Sequence, residues 1–271
     1  ELKPDYAEVH SNIGEVLRDQ GRYDESVAAY KRALELDPSL PLANYSLAVY
    51  FYDSGDLPLA LRYFQQSQYA DWQERSLYCL YKTERFDEFK QGLDQLKKAR
   101  HSSPFLATLA GHYAENFGTV NDYNFCKNPL DLVCHVQVPE LKGDSELLKQ
   151  LLADIEQADI EEKSQGRLHH GVQSAGNLFK RSEASFIHEE GWVSGALYLA
   201  VPKQKTHPDE GSIELSTHGD DYPKQHDKFP SKTIAPEVGD IFIFPSAVFH
   251  RTIPFNSDEE RICIAFDLKP A

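Results

Sequence analysis

The chain has 271 residues, 43 of them acidic against 28 basic, for a formal net charge of −15. That length holds two domains, each with its own core, and that charge would repel a phosphate backbone over most of the surface, which excludes nucleic acid as the expected partner. Four cysteines (Cys79, Cys126, Cys134, Cys263) stand far apart with no Cys-x-x-Cys, the pattern of reduced thiols in a cytoplasmic protein rather than of a zinc knuckle or disulfide framework. No apolar run is long enough to span a membrane, and the oligomeric state is left open.

The opening ELKPDYAEV resembles the later LELDPSLPLA, and no Met occurs anywhere, so the chain is expected to begin inside a longer protein. A 34-residue shift pairs Ile13-Gly14 with Leu47-Ala48, Leu17 with Phe51, Gly21 with Gly55, Tyr30 with Phe64 and Ala33 with Ser67. This resembles the tetratricopeptide repeat, in which small residues (Gly14, Ala33, Ala48, Ala60) let paired helices approach and aromatics (Tyr30, Phe64) fill the gaps. The pattern is clear over 4–38 and 41–67 and weaker over 70–97, where Arg85-Phe86-Asp87-Glu88-Phe89 echoes Arg22-Tyr23-Asp24-Glu25-Ser26 at a shorter interval.

Such an array implies a protein or peptide partner through its concave groove, or else a stacking element, since the fold alone names no ligand. Asn12 and its equivalent Ser46 have no basic neighbours that would make a carboxylate clamp. A further helix, roughly Pro104 to Asn116, is expected to cap the array. The Asn-, Asp- and Gly-rich run after it reads as a linker, giving a helical domain over 1–117, a linker over 118–131 and a second domain over 132–271.

Past Leu132 the period changes. One helix is expected from about Ser145 to Lys163, introduced by Gly143-Asp144, with Leu148, Leu151, Leu152 and Ile155 on one face to cover the outside of a sheet. Segments at GVQSAGNLF, WVSGALYLAV, GSIELS, DIFIF and RICIAFDL then read as strands, and a β-barrel with a helix outside is the expected architecture.

Side chains alternate faces along a strand. Glu190, Trp192, Ser194, Ala196, Tyr198 and Ala200 therefore share one face, and Val193, Leu197, Leu199 and Val201 the other. In the last strand Arg261, Cys263 and Ala265 oppose Ile262, Ile264 and Phe266. Parity also groups Gln173 with Asn177, and puts Arg251 on the face opposite to His250.

Three His-x-acid pairs occur: His188/Glu190, His207/Asp209 and His218/Asp220. His207 sits in a loop-like run and His218 in a turn. Only His188 leads straight into a long strand, and it leaves room for two more strands before His250, which ends the apolar run GDIFIFPSAVFH. An ion pair with Asp258 or Glu259 is the bland reading of Arg261.

From about residue 168 onward, HEEGWVSGALYLAVP, GDIFIFPSAVFHRTIPF and ERICIAFDLKP resemble the 2-oxoglutarate/iron(II) oxygenases found fused to tetratricopeptide repeats. The most specific parts are GW-x-SG-x-x-YL and FPS-x-x-x-H followed by Arg. What the resemblance implies is a double-stranded β-helix (jelly-roll) domain, so that the whole is a multidomain α + β chain, and a dioxygenase that hydroxylates its substrate as 2-oxoglutarate is converted to succinate. It implies iron(II) on His188, Glu190 and His250, and 2-oxoglutarate held by Arg261 with Asn177 and Tyr198 beside it. Two imidazoles and one carboxylate leave three metal positions open for a chelating oxoacid and dioxygen, and a guanidinium fork suits the distal carboxylate. The usual acid in the family is Asp; here Glu189 and Glu190 both stand at that place. The rival readings are a non-catalytic binding module on the same barrel and a metal enzyme of another kind, because this barrel hosts several chemistries.

Overall fold

The fold is that of a computed structural model and is described for residues 6–123, 128–157, 162–163, 173–174, 192–219 and 221–268. Six antiparallel-paired helices open it: α1 (Ala7–Asp19), α2 (Tyr23–Leu36), α3 (Pro41–Asp53), α4 (Leu57–Ser67), α5 (Trp72–Lys82) and α6 (Phe86–Lys98). Helix starts recur after 34 residues, Ala7 to Pro41 and Tyr23 to Leu57, then after 31 (Pro41 to Trp72) and 29 (Leu57 to Phe86), which is the shortened third repeat read from the sequence.

The small residues act as expected. The Tyr30 ring packs over Gly14, where a Cβ would come within 2.6 Å of it, and Ser26 Oγ donates to the Gly14 carbonyl at 2.8 Å. Ala33, Ala48, Ala60 and Phe64 are fully buried. Ser46, read from the sequence as a groove residue, is itself buried. In the irregular third repeat, polar contacts join the helices: Tyr45 donates to Asp71 at 2.6 Å, and Asp71 pairs with Arg75 at 2.9 Å. Cys79 is buried beside them, and that burial pushes its thiol up to about 12, so it is inert at neutral pH.

By packing, the chain divides between His101 and Ser102. The helix expected to cap the repeats, α7 (Pro104–Phe117), thus falls in the second unit. Its side chains give the reason. Buried His112 faces His218 with 2.7 Å between Nε2 and Nδ1, and both rings stack on Phe229. Buried Asn116 donates to the Pro223 carbonyl at 3.0 Å and accepts from the Gln225 N–H at 2.6 Å. These contacts tie α7 to residues more than a hundred positions onward.

The second unit is built on two sheets. One has the order β1 (Cys134–Gln137), β7 (Asp240–Pro245), β4 (Val193–Ala200), β9 (Ile262–Leu268); the other has the order β6 (Ser231–Ile234), β5 (Ile213–Ser216), β8 (Phe249–Thr252). All neighbours are antiparallel, as is the short pair β2 (Glu162–Lys163) and β3 (Gln173–Ser174). Ala196, Tyr198, Phe242 and Phe244 from the first sheet meet Ile213, Leu215 and Val248 of the second in one core. The helix α8 (Glu146–Gln157) covers the other face of the first sheet, with Leu148, Leu151, Leu152 and Ile155 against Leu197, Leu199, Ile262 and Ile264. Its N-terminus is capped by Ser145, whose Oγ accepts from the Leu148 N–H at 3.1 Å.

The parity of β4 and β9 read from the sequence holds from Ser194 to Leu199, but the register shifts between Tyr198 and Ala200, and Val201 packs against the Tyr198 core rather than with Leu197 and Leu199. The strand expected to end at His250 is instead broken: β7 stops at Pro245, a turn closes with Val248 N–H on the Pro245 carbonyl at 3.0 Å, and His250 is the second residue of β8. Of GVQSAGNLF, only Gln173–Ser174 lies within the described residues.

Gly195 faces α8's side of the sheet, where a Cβ would stand 2.3 Å from the Phe266 ring and 2.8 Å from the Phe242 carbonyl oxygen. The backbone atom cannot yield without disturbing the β4–β7 ladder. Gly195→Ala is expected to lower unfolding free energy by about 1–3 kcal/mol, the range for overpacking a tight core. Urea melts that superimpose on the wild type would show that this close approach is not required.

Candidate active site

On the face of β4 turned toward the second sheet stands Tyr198, fully buried. Opposite it at the start of β9 comes Arg261, whose guanidinium lies 4.9 Å from the Tyr198 ring centroid and whose Nη2 donates to Tyr198 Oη at 3.1 Å. Burial above all holds the Tyr198 phenol above its ordinary range, while the Arg261 charge pulls the other way. The phenol is therefore neutral. It accepts from Arg261 and keeps its own O–H free to donate. Arg261 Nη1 approaches Cys263 Sγ at 3.7 Å, and Arg261 Nε is buried with no hydrogen-bond partner among the described residues.

No carboxylate pairs with Arg261 among the described residues. Glu259, one of the acids that could have claimed it, instead accepts from the Lys203 and Gln204 backbone N–H groups at 2.5 and 2.9 Å. A guanidinium brought inside a barrel without a counter-charge is costly. Arg261 Nε and the Tyr198 O–H are thus donors left over after these contacts, which suits an anion.

His250 lies across from this pair on β8, in register with inward-facing Leu215, and its ring sits 5.0 Å from that of Phe244. Nδ1 approaches the Val248 carbonyl at 3.4 Å, a long contact, and Nε2 has no partner among the described residues. A carbonyl on Nδ1 favours the tautomer whose Nε2 lone pair is free for a metal. Arg251, its neighbour, points to the opposite face, where it pairs with Glu214 at 2.5 Å across the ladder.

The competing His-x-acid pairs are otherwise engaged. His207 and Asp209 are exposed in a turn, 3.7 Å apart, and His218 is occupied by His112. His188, Glu189, Glu190 and Asn177 lie outside the described residues. Among the described residues no three His, Cys, Asp or Glu side chains converge as a metal-binding group.

Residues 178–267 match the family described as "Putative 2OG-Fe(II) oxygenase", and residues 14–55 match a TPR repeat. The chain carries a TPR repeat followed by a domain of the family described as "Putative 2OG-Fe(II) oxygenase". No curated protein matches it. The oxygenase match takes in His188, Glu190, Tyr198, His250 and Arg261, with Asn177 one residue outside. The family implies iron(II) and 2-oxoglutarate, and the residues here fit both: at His250 an imidazole Nε2 with no partner among the described residues, and at Arg261 a buried Nε with none, beside the Tyr198 phenol.

Sequence reading missed two groups on the inner face of the oxygenase domain. Asp240 is buried, its carboxylate adds to the upward pressure on the Tyr198 phenol, and His135 Nε2 stands 3.0 Å from its Oδ1. His135 also stacks on Phe242, centroids 4.6 Å apart. The Gly239-Asp240 turn was the available signal, since an acid directly after it starts β7 on the Phe242 face. Among the described residues no helix is long and apolar enough to cross a membrane, and TPR repeats generally mediate protein interactions.

Proposed function

We propose that this protein is an iron(II)- and 2-oxoglutarate-dependent dioxygenase that hydroxylates its substrate, with a repeat region that engages a protein or peptide partner. The observation that carries this reading is Arg261: a guanidinium held over Tyr198, with Nε buried and, among the described residues, neither a hydrogen-bond partner for Nε nor a carboxylate paired with the guanidinium. Arg261 and the Tyr198 hydroxyl would grip the distal carboxylate of 2-oxoglutarate. His188, Glu190 and His250 would hold the metal, with Glu189 the competing acid and Asn177 a further lining amide. When bound, iron(II) and 2-oxoglutarate would activate dioxygen, the oxidant for C–H hydroxylation, with one oxygen atom going to the substrate and the other to succinate as carbon dioxide leaves. The protein's share is orientation, with the buried Phe242 and Phe244 rings packed beside Tyr198 and His250.

Anaerobic titration of the metal-free protein with iron(II) and then 2-oxoglutarate tests the reading. A weak visible charge-transfer band is expected on adding the second component. A protein that binds neither would instead be a barrel used as a binding module.

No residue proposed to hold metal or co-substrate comes from the repeats. A chain beginning at Ser102 is therefore expected to keep metal binding and 2-oxoglutarate turnover. One beginning at residue 118 lacks α7, exposes the Phe229 and Tyr222 surface that His112 covers, and should aggregate or lose metal. Equal metal content in the two truncations would show α7 to be dispensable.

A further inference from the structure

We infer that Asp267 is a positioning residue for the metal site, acting through Ser194 and Ser246 on the turn that delivers His250; this rests on the reading of His250 as a metal ligand. Asp267 faces the barrel interior at the far end of β9 from Arg261, in register with Ser194, which in turn is in register with Phe244, the ring against which His250 lies. Ser194 Oγ donates to Asp267 Oδ1 at 2.6 Å, and Ser194 and Ser246 hydroxyls are 2.8 Å apart.

The proton inventory gives this chain a direction. A carboxylate accepts and does not donate, so the single hydroxyl proton of Ser194 is committed to Asp267. Ser246 must then be the donor to Ser194. The sequence of bonds runs one way, from Ser246 through Ser194 to Asp267, and ends on a charge that strengthens each link.

Its ends are what make it more than a clasp on the sheet. Ser246 opens the Pro245–Val248 turn, and its backbone N–H donates to the Trp192 carbonyl at 3.2 Å; the Trp192 N–H donates to the Leu268 carbonyl at 2.8 Å. Trp192 follows directly on the segment that carries His188 and Glu190. Trp192 and the turn that leads to His250 are thus held in one polar knot, and Asp267 is its terminal acceptor. The chain makes no bond to the imidazole; it acts on His250 through the backbone of the turn, as outer groups that fix the orientation of ligands do.

Cobalt(II), a spectroscopic stand-in for iron(II), is titrated into the full-length protein and its variants. Asp267→Ala and Ser194→Ala should each weaken cobalt affinity by about 10- to 100-fold and alter the shape of the visible band. Combining them should add little, because they cut the same chain. Ser194→Thr, which keeps the hydroxyl, should restore both affinity and band. Thr206→Ala, which removes a 2.5 Å bond to Glu210 in a loop away from this knot, controls for loss of stability alone and should leave the band unchanged. If Asp267→Ala does not fold, Ser194→Ala and Asp267→Asn carry the test. Wild-type cobalt binding that Asp267→Ala and Ser194→Ala leave intact overturns the inference while sparing the metal assignment; a wild type that binds no cobalt removes both.

Discussion

Replacing His250 by alanine is expected to abolish iron binding and the conversion of 2-oxoglutarate to succinate while leaving the fold in place. The residue is exposed on β8, touches Phe244, and contributes only one long contact to a carbonyl, so its loss opens no cavity in the core of Leu215, Phe242 and Val248. Its chemistry, by contrast, is not replaceable, since a three-ligand site that loses an imidazole loses both a donor and its facial geometry. Iron content measured on the purified variant, with circular dichroism to check the fold, decides the matter. Normal iron would refute the assignment. The same measurement on Glu190→Ala and Glu189→Ala should separate sharply, with loss at Glu190; equal behaviour would move the acidic ligand elsewhere.

Arg261→Ala should weaken 2-oxoglutarate binding by about 2–4 kcal/mol, the range for removing one partner of a buried charge-assisted contact. Iron affinity should hardly change, because Arg261 stands with Tyr198 and Cys263 and not with His250. Isothermal titration with the metal-loaded protein reads both quantities. Tyr198→Phe should cost less, since it removes one donor and leaves the guanidinium over an intact ring. Unchanged 2-oxoglutarate affinity in Arg261→Ala would return the distal carboxylate to another cation, although Arg251 is already committed to Glu214.

Local periodicity carried what the sequence made legible. Alternation at period two sorted Ala196 and Tyr198 from Leu197 and Leu199 without error, because β4 is buried on both faces by different partners, the barrel core and α8. A 34-residue spacing showed the repeats because each buries the same small and aromatic positions. What stayed hidden depended on distant partners. Nothing in α7 announces that His112 meets His218 or that Asn116 meets Pro223, so an Ala-rich helix after a helical array reads as its cap. Short strands with exposed side chains, β1, β6 and β8, carry little hydrophobic signal. The break at Pro245 was disguised by the apolar Ala247-Val248-Phe249 that follows. At the candidate site, Arg261 and Tyr198 come together and His250 faces the same interior, whereas the ion pair and capping roles of Glu214 and Glu259 emerge only from the folded chain.

The imidazole pair that His112 of α7 makes with His218 has a use beyond holding that helix in place. One nitrogen-bound proton must lie between His112 Nε2 and His218 Nδ1, 2.7 Å apart and stacked against Phe229, with His112 at 1 % exposure. Ring protons of that type ordinarily exchange with water too fast to be seen by magnetic resonance, but this one is shielded from solvent and shared between two bases. It should give a single far-downfield line, a native beacon that is bright while α7 is seated and dark once it lifts away.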